Sequence, residues 1–159
     1  MNSKTLILGL GNDILTDDGI GPKLVSDLKS ELSENEFDFI NVCVGGLELL
    51  DYIQHYNTVF ILDAIQTKDG KPGEVYFLST KAFKETSHIS NLHDINFLTA
   101  LKLAEKLNII IPQNIYIIAV EIIEDRVFSE HLSPEIEVQY PQIKEKVKRF
   151  IAQKVAKVG

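Results

Sequence analysis

Residues Thr5 to Leu28, TLILGLGNDILTDDGIGPKLVSDL, constrain this chain more than any other stretch. An apolar run ends in Gly9-Leu10-Gly11, a polar loop delivers the adjacent acids Asp17 and Asp18, and an amphipathic segment follows at once. Strand, tight turn, acids and helix form the unit by which an α/β protein carries charge to the carboxyl edge of its sheet, where such folds bind ligands. Thr5–Gly9 alternates too little for a half-exposed strand and reads as a buried one, central in a sheet.

The rest of the chain repeats the alternation. Ile20, Leu24, Val25, Leu28 and Leu32 recur at helical spacing, with Pro22 in the first turn, where its missing N–H costs nothing. Strands are expected at Phe37–Val44, Thr58–Ile65, Glu74–Leu78 and Asn114–Ile122, and helices at Gly46–Tyr56 and His93–Leu107. A last helix is expected from Ser133-Pro134-Glu135 onward, with Ser133 as N-cap and a break or kink at Pro141. Lys81–Asn91 reads as polar and irregular. The Lys-Asp-Gly-Lys-Pro-Gly turn at 68–73 makes the following strand the antiparallel member. The pattern predicts an α/β, three-layer fold: one domain over residues 1–159 with a mainly parallel five-stranded sheet flanked by helices.

Composition narrows the partners. A net charge of −7 argues against nucleic acid, which needs a basic surface. No apolar run approaches the roughly 20 residues of a membrane span. Met1-Asn2-Ser3-Lys4 leads directly into a strand without room for a signal peptide, and one cysteine cannot form an internal disulfide, so a cytoplasmic location is expected.

Gly9-Leu10-Gly11 invites a dinucleotide reading, but the third glycine position of G-x-G-x-x-G holds Ile14, and no acid ends the second strand. Two carboxylates would also repel a pyrophosphate. A metal suits the residues better. Asp18 follows the first strand, Asp63 ends the third, and His93 starts the third long helix. Two carboxylates and an imidazole fit a divalent first-row metal with positions left open for water or substrate. Each residue has a plainer alternative. Asp17 and Asp18 could cap the first helix, Asp63 could form a turn, and His93 could simply begin a helix.

The segment containing Gly9, Gly11, Asn12, Asp17, Asp18, Gly19 and Gly21 resembles the signature of the hydrogenase maturation endopeptidases. Ile61-Leu62-Asp63-Ala64-Ile65 with Pro72-Gly73-Glu74-Val75 resembles the second block of that family, and Leu92-His93-Asp94-Ile95 the third. Leu132-Ser133-Pro134-Glu135 is similar to its C-terminal helix start. The resemblance implies a peptidase that removes a C-terminal extension from a nickel–iron hydrogenase large-subunit precursor after nickel insertion. It places the family's catalytic, metal-binding positions on Asp18, Asp63 and His93, the nickel arriving with the substrate. The first position is often glutamate in the family, so Asp18 shortens the reach by one methylene. A maturation chaperone that does not cut, and a metal-dependent peptidase with another substrate, are the competing readings.

The chain departs from the family in places. The glycine-rich, acid-led stretch before the second helix is Asn41-Val42-Cys43-Val44-Gly45-Gly46 here. The segment after the fifth strand, often glycine- and proline-containing, is Ala119-Val120-Glu121-Ile122-Ile123-Glu124, and Asn91 stands where serine is common. Other residues read as structural. Cys43 is expected to be a small buried hydrophobe rather than a nucleophile, His55 and His131 are expected at the surface, and His88 is the alternative to His93. The basic face of the last helix (Lys144, Lys146, Lys148, Arg149, Lys154, Lys157) is expected to be solvated, or to steer an acidic partner.

Overall fold

Five runs rich in Val, Ile, Leu and Phe form one sheet, the three central ones burying both faces and the two edge ones only in part. The computed structural model describes residues 4–80 and 92–158, the side chains of 92–96 excepted. The strands are β1 (Thr5–Leu10), β2 (Phe37–Val42), β3 (Thr58–Ile65), β4 (Val75–Ser79) and β5 (Asn114–Glu121), in the order β2-β1-β3-β5-β4. β1 pairs in parallel with β2 and β3, β3 pairs in parallel with β5, and β4 alone runs antiparallel, against β5. This is the mixed sheet expected from the sequence. The helices are α1 (Ile20–Glu31), α2 (Glu48–Ile53), α3 (Leu92–Lys106) and α4 (Pro134–Val158). The irregular stretch expected at Lys81–Asn91, with His88, lies outside the described residues.

Side-chain alternation sorts the strands between two cores. Ile7, Phe60, Leu62, Ile118 and Val120 pack with α1 and α4, through Leu24, Leu28, Ile136, Ile143 and Val147. Leu6, Leu8, Val59, Ile61 and Ile117 pack with α2 and α3, through Leu50, Ile53, Phe97 and Leu101. Three layers result. Gly21 sets how closely α1 lies on the sheet: a Cβ there would sit 2.3 Å from the Leu62 carbonyl oxygen and 2.9 Å from that of Leu10. The start of α1 is thereby pressed onto the carboxyl ends of β1 and β3.

Three local expectations change. β2 stops at Val42, two residues early, and α2 is shorter than Gly46–Tyr56. α4 is unbroken through Pro141. Pro141 is exposed, so the carbonyl it leaves without an N–H partner faces solvent, while Ile136, Tyr140, Ile143 and Val147 hold both sides of the helix to the core.

Candidate functional site

After β1 the chain turns through Gly11, whose φ of +143° and contact with the Asp18 carbonyl, 2.1 Å from where a Cβ would stand, exclude any side chain. The Gly11 N–H donates to the Val42 carbonyl at 3.1 Å, tying the turn to the end of β2. Asp18 lies in a 3-10 turn, Thr16–Gly19, and its Oδ2 accepts the Asn12 N–H at 2.8 Å. That bond folds the carboxylate back over the end of β1. Asp63, 7% exposed and third from the end of β3, accepts the Ala64 N–H on Oδ1 at 2.8 Å.

Asp18 and Asp63 line one cavity at the carboxyl edge, together with Asn12, Cys43 and the apolar Leu15 and Val44. Its volume is about 170 Å³. Cofactor sites occupy about 300 Å³ or more, so a short piece of peptide backbone or a small ion fits better than a nucleotide.

Position, therefore, brings the two carboxylates of the expected trio together. His93 lies in the first turn of α3, which packs on the sheet through Phe97, Ala100, Leu101 and Ala104 and leads to β5 at the opposite, amino edge. The first turn of α3 is accordingly directed back toward the carboxyl edge. The His93 side chain lies outside the described ones, and among the described residues no three His, Cys, Asp or Glu side chains converge on a metal-sized site. Two carboxylates and an imidazole would form an oxygen- and nitrogen-donor set suited to a borderline divalent metal.

Asp17 caps neither helix. It is fully buried, and its carboxylate reaches across to the segment before α4. Oδ2 accepts the N–H groups of Ile123 (3.2 Å) and Glu124 (3.0 Å) and the Ser133 hydroxyl (2.7 Å), while Oδ1 accepts the Ser133 N–H (2.6 Å). Ser133 thus precedes the first residue of α4 as expected, but its hydroxyl serves Asp17. Thr16 takes a positive φ of 51°, costly for a β-branched residue, and is held there by bonds from its N–H to the Ser129 carbonyl (2.9 Å) and from its hydroxyl to the Val127 carbonyl (2.6 Å).

Cys43 is exposed rather than buried. Because β2 ends at Val42, the next residue leaves the sheet and turns into the cavity mouth. The basic face of α4 is less solvated than expected: Lys144 and Lys148 both pair with Glu31, at 2.6 and 2.9 Å, and Lys154 lies over the Tyr116 and Phe150 rings. His55 and His131 are exposed, as expected.

A further acid was not singled out from the sequence. Glu121, 2% exposed at the end of β5, accepts the Thr67 N–H (2.7 Å), the Thr67 hydroxyl (3.0 Å) and the Tyr76 hydroxyl (3.1 Å). It fixes the β3–β4 connection just beyond Asp63. Burial, together with the Glu74 and Glu121 carboxylates, pushes the Tyr76 hydroxyl up to about 12. The signal was available, since Glu121, like Asp63, is a carboxylate at or near the end of an apolar strand and must find donors.

Known proteins agree with this architecture. A family model described as hydrogenase maturation protease matches residues 22–150. The hydrogenase 2 maturation protease of Escherichia coli K12 is 32% identical over 76 residues, 47% of this chain and 46% of that protein, so the match spans just under half the relative's length. Among solved structures, the hydrogenase maturating endopeptidase HybD of E. coli superposes with a TM-score of 0.74 at 23% identity, covering 95% of this chain and 93% of that one. The [NiFe] hydrogenase maturation protease HybD of Thermococcus kodakarensis gives 0.67 at 26% identity, covering 92% and 98%. The first shares the fold across nearly its whole length, and the family model takes in most of α1, the sheet from β2 onward and most of α4. This chain belongs to the hydrogenase maturation protease family.

Proposed function

We propose that this protein is a cytoplasmic endopeptidase that removes the C-terminal extension of a nickel–iron hydrogenase large-subunit precursor once nickel has been inserted. The observation that carries the reading is the shared cavity of Asp18 and Asp63. Two carboxylates, one from the turn after β1 and one from β3, border a space sized for a stretch of backbone, and His93 in the first turn of α3 would complete the set at the same edge.

In this reading Asp18, Asp63 and His93 grip the nickel carried by the substrate. That nickel supplies Lewis acidity at the scissile peptide. The chain's own contribution is positional. Asn12 and the Gly11 turn fix Asp18, burial in β3 fixes Asp63, and the substrate's metal fixes the peptide between them. Precursor without nickel lacks the contact on which affinity depends, which gives discrimination without a separate checkpoint.

Intact mass of the precursor after incubation with this protein, with and without nickel loaded, tests the proposal. A short C-terminal peptide should be lost only from the loaded sample, and Asp63→Asn or His93→Ala should slow that loss by roughly 100-fold or more. Wild-type rates in either variant would remove the residue from the site. A stable complex with unchanged mass would make the protein a chaperone, and cleavage of unrelated peptides without nickel would make it a peptidase of another kind.

A further inference from the structure

Ile14, Val127 and Phe128 are 44%, 57% and 78% exposed, large apolar side chains that fill no part of either core. The backbone beneath them is firmly held. An isolated parallel bridge pairs Leu15 with Ser129, closed by bonds from the Ser129 N–H to the Ile14 carbonyl and from the Thr16 N–H to the Ser129 carbonyl, each 2.9 Å. The Thr16 hydroxyl holds Val127, Glu124 Oε1 accepts the N–H groups of Arg126 and Val127, and Asp17 fastens both ends of the segment at Ile123, Glu124 and Ser133. The bridge sets Ile14 and Phe128 immediately before the paired Leu15 and Ser129, with Val127 next along the chain. Exposed apolar side chains on a braced backbone are preorganised for a partner, because little ordering entropy remains to be lost on contact.

Two further observations say what the partner is. The surface is continuous with the candidate site, since the turn that carries Ile14 carries Asp18 four residues later, and Asn12 is hydrogen-bonded to both. The segments that carry it are net acidic: Asp13, Glu124, Asp125 and Glu130 stand against Arg126, which pairs with Asp125 at 3.9 Å, and Lys23, which lines a groove with Asp13 and Glu130. A second copy of this chain would bring the same carboxylates against themselves across a two-fold axis, on a molecule already at −7.

We infer that the Ile14–Val127–Phe128 face docks the precursor segment that flanks the scissile bond. The segment would set an apolar side chain on these three residues and face basic side chains toward these carboxylates. This rests on the peptidase reading and adds to it the chemistry of the polypeptide recognised. Asp17 is then a positioning residue. By joining the Asp18 turn to the 123–133 segment it fixes the distance between the cutting site and the docking surface.

The test is steady-state cleavage and direct binding of the nickel-loaded precursor by wild type, Phe128→Ser and Val127→Ser, with sedimentation of each. Both side chains are exposed, so the variants keep the fold. KM and Kd should rise roughly 10-fold for Phe128→Ser, with kcat within about twofold, because a contact made equally before and during reaction changes binding and not turnover. Wild-type affinity should fall as salt is raised, and Asp13→Asn with Glu130→Gln should flatten that dependence. Unchanged KM and Kd in Phe128→Ser, with cleavage intact, would overturn the docking surface alone. Loss of a dimer in that variant with unchanged KM would reassign the face to self-association and overturn it too. A wild type that neither binds nor cuts the precursor would bring down the peptidase reading itself.

Discussion

The carboxyl edge of the sheet and the solvent face between α1 and α4 each carry a carboxylate with several partners, and they use them differently. At the edge, Asp17 is fully buried and accepts three backbone N–H groups and a hydroxyl from residues more than 100 positions away. On the solvent face, Glu31 accepts two ammonium groups, Lys144 and Lys148, from side chains that remain about a quarter to a third exposed. Hydrogen bonds from the two lysines hold the Glu31 carboxyl down at about 2. The surface triad has the greater formal charge and the smaller structural consequence, because water competes for each member. At Asp17 the carboxylate itself is out of water and takes these four bonds in its place, so it decides where a loop goes.

The most damaging substitution in that comparison should be Asp17→Ala. It removes the fully buried acceptor shared by Ile123, Glu124 and Ser133, and a loss of about 3 kcal/mol is expected in urea unfolding. Asp17→Asn, which keeps an acceptor, should lose less. An Asp17→Ala protein as stable as wild type would mean that the segment before α4 is held by its backbone contacts to Thr16 and Ile14.

Glu121→Gln should come next, at about 1 kcal/mol, since Gln retains an acceptor and the Thr67 and Tyr76 hydroxyls can reorient. It also has a pH signature. The Tyr76 hydroxyl is raised from 10.0 to about 12, so the folded state holds its proton more tightly than the unfolded one. The associated stability is complete below pH 10 and is lost as pH rises from 10 toward 12. Removing the Glu121 charge should narrow that alkaline loss, visible as a smaller fall of Tm over the interval.

The smallest effect should be that of Glu31→Gln. The Glu31 carboxyl is lowered from 4.5 to about 2, so its contribution is present above pH 4.5 and is lost as pH falls from 4.5 to 2. Lys144 and Lys148 are raised by the same hydrogen bonds. The variant should differ from wild type in Tm only slightly, most at low salt, and the difference should vanish below about pH 2. A Glu31→Gln penalty that matched Asp17→Ala and persisted in high salt would end the distinction between the two regions.

Much of the edge was legible before any coordinates. Asp18 follows, and Asp63 lies near the end of, an apolar run that reads as a buried parallel strand, and the carboxyl ends of such strands meet. Asp17 was not legible, because its partners lie 106 to 116 residues away and nothing local marks them. Cys43 was misread for a different reason. Its neighbours are apolar, but a strand's last residue is set by its partner, and the pairing of β1 with β2 ends at Leu10 with Val42.

By itself, then, the sequence determined the periodicities: five strands in order, the antiparallel β4 after a Gly-Pro-rich turn, the helices between, and the acids that follow β1 and lie near the end of β3. These follow from φ/ψ preference and apolar spacing within a few residues. Tertiary structure decided which neighbouring acid faces the cavity and which is buried, that a serine expected to cap a helix would bind Asp17, and that Phe128 would stand exposed on a braced loop. Those outcomes depend on which donors arrive from distant segments once the cores close, and a buried carboxylate takes the partners that the packing presents to it.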